Sequence, residues 1–104
     1  MSWRPAPKEA VEKKLADGMS KLHPHHRALF ESIRVSPRPI PVESDPGQFV
    51  FVVGEHNGRV LYWSDIEEGW ELEEPNVKGG INTRGCNQFE LSHIMYQTFG
   101  DPNA

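Results

Sequence analysis

Apolar residues follow a helical spacing near both ends of the chain and a strand-like alternation between them. Val11, Leu15, Met19 and Leu22 recur at intervals of four, four and three, which places them on one face of a helix over residues 8–22. Lys13, Lys14, Asp17 and Lys21 fall mostly off that stripe. Gly18 weakens the last turn by about 1 kcal/mol relative to alanine. Pro24 suits the first turn of a second helix and disfavours helical backbone at His23 before it. That helix is predicted to run to about Val35, its inner face formed by His26, Phe30 and Ile33 or by Leu29 and Ile33. Residues 8–35 therefore read as a helical hairpin preceded by a flexible stretch, residues 1–7.

Pro37, Pro39 and Pro41 close the helical part. Ile40 and Val42 alternate with polar or proline positions, and a strand at 40–43 belongs on a sheet edge, because proline cannot donate to the ladder. Asp45-Pro46-Gly47 is a turn. Phe49 to Val53 is apolar on both faces, the pattern of a central strand covered on both sides. Asn57-Gly58 predicts a hairpin, and Arg59 to Ser64 returns with Val60 and Tyr62 on one face, Leu61 and Trp63 on the other. After the turn at 65–69, Trp70-Glu71-Leu72-Glu73 alternates as a third strand. Trp70 and Leu72 are expected inward, with Glu71 and Glu73 toward water. Trp63 and Trp70 should meet across neighbouring strands, at least one of them buried.

Residues 75–85 read as loop, with Gly79-Gly80 at its centre. Asn87 three residues before Glu90 resembles a capping box, and a closing helix over 87–99 buries Leu91, Ile94, Met95 and Phe99 before Gly100 stops it. The predicted fold is a single α+β domain over residues 1–104. It comprises two N-terminal helices, a three-stranded antiparallel meander within 40–73 with an edge strand at 40–43, and one C-terminal helix.

Charge sharpens this picture. Residues 1–38 hold eight Lys/Arg against four acids, and residues 39–104 hold three against eleven, so the net charge of −4 conceals a +4 half and a −8 half. The acidic half would repel nucleic acid. No apolar run is long enough for a membrane span, and no apolar stretch follows Met1 to suggest a secretory signal. A lone cysteine, Cys86, fits a reducing compartment, so a cytoplasmic location is expected.

Candidate catalytic and metal-binding residues are sparse. His23, His25 and His26 lack the i, i+4 or i, i+3 spacing that brings two imidazoles to one helix face, and no carboxylate or cysteine completes a ligand set, so no metal and no cofactor is expected. Cys86 just before a helix could have a lowered thiol pKa, but His93 lies about two helical turns on. The acids between 65 and 74 crowd a turn and a solvent face rather than offering the two unequal environments of acid–base catalysis. A non-enzymatic role is the leading expectation.

What stands out is Asp65, Glu67, Glu68, Glu71, Glu73 and Glu74, bracketed by Trp63 and Trp70: six acids and no base over residues 65–74. Clustered carboxylates speed encounter with a positive protein, and an aromatic supplies an anchor. These eight residues are the candidate partner-binding set, the partner being a basic protein. The segment Tyr-Trp-Ser-Asp-x-Glu-Glu-Gly-Trp over residues 62–70 resembles a motif of small bacterial immunity proteins of the cell-wall-regulator-like superfamily. The resemblance spans residues 49–74 and implies a non-catalytic protein that neutralises a toxin by masking its active site. Two other readings stand beside it: an assembly protein forming a homodimer through the aromatic sheet, and a small enzyme or ligand-binding domain using Cys86 and a histidine.

Overall fold

Prolines and glycines set the element boundaries. The computed structural model describes residues 7–64, 68–82 and 89–103; the predicted flexible stretch 1–7 falls almost wholly outside them. Helix α1 spans Lys8–Ser20 and α2 spans Pro24–Ile33. Val11 and Leu15 are buried on α1, and His26 and Phe30 on α2, as the spacing predicted. The Arg27 guanidinium donates to the Met19 carbonyl at 2.9 and 3.2 Å, an acceptor the Leu22 N–H also uses, and so ties α2 to the end of α1.

Strand β1 runs Arg34–Pro41, directly from the end of α2. This corrects the helix expected to reach residue 35 and the strand expected at 40–43. Arg34 is already extended at φ −67, ψ 138, and β-branched Val35 and pre-proline Ser36 both disfavour helix. With β2 Phe49–His56, β3 Arg59–Ser64 and β4 Gly69–Glu73 the sheet has four antiparallel strands in the order β1-β2-β3-β4. Asn57 and Gly58 both take positive φ, 49 and 77°, as the hairpin signal requires. Helix α3, Leu91–Phe99, ends at Gly100.

The β1 register explains its prolines. Ile40 pairs with Val50, and the Val42 N–H donates to Gln48 O at 3.2 Å, so even-numbered residues turn their N–H toward β2. Pro39 and Pro41 therefore occupy the outward positions, where a proline costs the ladder nothing, and Pro37 falls in the register irregularity between Arg34 and Arg38.

Both sheet faces are covered. On one, Val53, Leu61 and Trp70 pack with Val11, Leu15, Leu22 and Phe30 of the helical hairpin and Leu91, Ile94 and Met95 of α3. On the other, Val50, Val52, Val60 and Tyr62 bury with Ile40, Val42 and Ile81. Ile81 arrives on a strap that the sequence assigned to loop. Its N–H donates to Pro41 O at 3.0 Å and its carbonyl accepts from Glu43 N at 2.8 Å, a parallel bridge beside Val42. Asn76 organises the turn before the strap: its Oδ1 accepts from the N–H of Lys78 and of Gly80, at 2.9 and 3.1 Å. Among the described residues no helix is long and apolar enough to cross a membrane.

Candidate functional site

The two tryptophans meet as the alternation predicted. Trp63 and Trp70 are directly paired across β3 and β4, their rings perpendicular-tilted at 70° with centroids 5.1 Å apart. Trp70 is buried and Trp63 half-buried. They floor a cleft of ≈ 160 Å³ walled by Lys14, Asp17 and Gly18 of α1 and Lys21 just after it, by Glu68 of the β3–β4 turn, and by Glu90, Leu91 and Ser92 at the start of α3. Lys14 extends its Nζ over the Trp63 ring, 5.6 Å from the centroid. Asp17 and Lys21 pair with each other at 3.3 Å. Glu68 is exposed and sits in left-handed backbone, φ 52°, which is uncommon for a residue with a side chain.

Lys14, Gly18 and Glu90 were not among the residues singled out from sequence. Gly18 did leave a signal: a glycine inside a helical stripe marks a close approach. A Cβ there would stand 3.1 Å from Leu91 Cβ, so α1 meets the start of α3 at this residue.

The acidic set does not gather on one surface. Glu71 is buried, 7% exposed, and Glu73 is half-buried, both on the sheet face opposite Trp63 and Trp70. This overturns the expectation that they face water. Alternation sends them away from the helical layer as predicted, but that second face is itself a core, and Tyr62 donates its hydroxyl to Glu73 Oε1 at 2.7 Å. Burial raises the Glu73 pKa above the ordinary carboxylate value; the Tyr62 hydrogen bond opposes that rise and the neighbouring Glu71 charge adds to it. Glu68 and Glu74 are exposed, whereas Asp65 and Glu67 lie outside the described residues.

The histidines serve the backbone. His23 caps α2, His25 is exposed, and His26 is buried with its Nε2 2.8 Å from Gly100 O and its ring edge-on to Tyr96 at 4.9 Å. His26 thus ties α2 to the end of α3. Helix α3 begins at Leu91 with Glu90 as its N-cap, which corrects the start expected at 87. His93 turns back to accept the Glu90 N–H on Nδ1 at 3.1 Å, and this local bond fixes the first turn. Asn87 and Cys86 lie outside the described residues. Among the described residues no three His, Cys, Asp or Glu side chains gather in a metal-ligand arrangement. A second depression at the β2–β3 tip, lined by Arg38, Glu55, His56 and Arg59, has no aromatic floor of this kind, and Arg38 and Glu55 already bond one another.

Comparison of the chain with protein families, curated proteins and solved structures gave no match.

Proposed function

We propose that the chain is a non-catalytic protein-binding module that docks a basic partner at the Trp63 end of its sheet. The carrying observation is a cleft whose aromatic floor already lies beneath an ammonium, with Glu68 and Glu90 on the rim. A lysine or arginine of the partner meets the same chemistry: its charge takes the place of Lys14 over the indole and pairs with Glu68. A cation over an aromatic face is worth about 0.5–1 kcal/mol when exposed and about 2 when desolvated.

Size supports a side chain as occupant. At ≈ 160 Å³ the cleft is close to the ~150 Å³ of a cavity that admits one benzene ring, and well under the ~300–1,000 Å³ of typical small-molecule sites. The contact set in this reading is Trp63, Trp70 and Glu68; Glu74 lies at the opposite end of β4, beside His56 and Arg59. Glu71 and Glu73 support the sheet from its other face. A toxin neutralised by masking, as the immunity-protein resemblance implies, is a partner of this chemistry.

Affinity capture from the native cell extract tests the proposal, comparing the parent with Glu68→Lys. The parent should retain a protein with a basic surface, and that retention should weaken as salt screens the rim beyond ~8–10 Å. Charge reversal at Glu68 should slow association more than it speeds dissociation. Equal capture by both proteins, or none by either, would overturn the reading.

A further inference from the structure

Both helices that follow α1 have an imidazole acceptor in their first turn. At α2, His23 Nδ1 accepts the His25 N–H at 3.1 Å; at α3, His93 Nδ1 accepts the Glu90 N–H, also at 3.1 Å. Helix starts ordinarily use a Ser, Thr, Asn or Asp oxygen. An imidazole nitrogen accepts only while the ring is neutral, because both nitrogens of the protonated ring are donors. A positive ring at a helix N-terminus also opposes the macrodipole. Histidine is the side chain that ordinarily changes charge between pH 5 and 8.

We infer that acidification removes the side-chain cap of α2 and the histidine half of the α3 capping box, and so loosens the wall of the Trp63 cleft that the first turn of α3 supplies. Glu90, Leu91 and Ser92 form that wall, so fraying at the His93 cap acts on the cleft directly. The charged and titratable groups nearest His23 are His25, the His26 ring at 6.5 Å, Arg27, whose backbone N–H donates to the His23 carbonyl at 2.9 Å, and Lys21 just after α1. Those nearest His93 are the Glu90 carboxylate on its own turn and, around the adjoining cleft, Lys14 and Asp17 of α1, Lys21 just after it and Glu68 of the β3–β4 turn. At α3 the Glu90 side chain still accepts the His93 backbone N–H, so that helix loses one half of its capping box, whereas α2 loses its side-chain cap. His26 behaves differently. Its Nε2 must donate to the Gly100 carbonyl, a bond that a protonated ring also makes, so the tie between α2 and the end of α3 persists. The consequence for binding rests on the proposed function above; the uncapping does not.

Amide hydrogen exchange on the full chain tests this at about pH 7.5 and about pH 5.5, corrected for intrinsic exchange. The comparison is between the parent and a His23→Asn, His93→Gln variant, whose amides cap without titrating. In the parent, protection of the His25 and Glu90 amides should fall roughly threefold or more on acidification, the counterpart of losing a cap. The Trp63 indole N–H resonance should move with it. In the variant neither should change. Unaltered protection in the parent, or an equal fall in the variant, overturns the uncapping. A fall in protection with a stationary Trp63 indole overturns the coupling to the cleft. No partner is needed, so the result is separate from that of the capture experiment.

Discussion

Glu73 holds its proton more tightly than a surface carboxylate because the second sheet core desolvates it, and the sign of the consequence follows. A carboxyl whose folded pKa is raised favours the folded state most at pH values below its unfolded pKa. That contribution is lost as pH rises through the folded pKa. Glu73→Gln keeps an acceptor for Tyr62 and carries no charge, so it should have the higher urea midpoint at neutral pH. The difference should close as pH falls into the carboxylate range. Tyr62→Phe removes the donor and should destabilise by about 1 kcal/mol, read from the same titration. At the turn, Glu68→Gly relieves left-handed strain at φ 52° and should add about 1 kcal/mol of stability while weakening partner capture. These carboxylates also show where sequence reasoning stops. Alternation correctly placed Glu71 and Glu73 on the face opposite Trp70 and Leu72, but a face is not an environment. The doubly apolar run Phe49–Val53 implies two covered faces, and the second of them extends across the sheet to Glu71 on β4.

Elements were legible where local chemistry decides them. The stripe Val11, Leu15, Met19, Leu22, the Asn57-Gly58 turn and the stop at Gly100 each gave the observed element. They were misread where a local signal had a second meaning. The prolines rightly placed their strand at a sheet edge, but they also read as the end of the helical part, and the strand begins at Arg34, earlier than residue 40. Asn87 and Glu90 offered a familiar cap, whereas the described cap is Glu90 with His93. The strap at 80–82 was illegible because its partner is Pro41–Ser44, far away in sequence. It depends on Gly80, where a Cβ would stand 2.5 Å from the Pro41 carbonyl oxygen. Gly80→Ala should displace the strap and destabilise by roughly 1–3 kcal/mol, measured by thermal or urea unfolding. Gly79→Ala is the informative neighbour: no atom lies within 4 Å of the added methyl, and only its φ of 85° resists the change.

Across the whole molecule, two cores share one sheet: helices close the first, and the strap helps close the second. The order of elements was legible because consecutive antiparallel strands joined by short turns leave few alternatives. The candidate site was legible only in part. Its tryptophans and turn acids stood out as composition, but the wall contributed by α1 and α3 exists only after packing. One consequence concerns many copies rather than one. The rim of β1 lacks an amide hydrogen at Pro37 and at Pro39, so an incoming strand finds no donors there to answer its own carbonyls. Such a rim is a poor template for stacking chains into a growing ribbon. Restoring the donors with Pro37→Thr and Pro39→Val should make sedimentation more concentration-dependent than in the parent and shorten the lag before dye-binding fibrils form. Identical behaviour of the two proteins would mean that solvation of this rim, not its missing donors, keeps the copies apart.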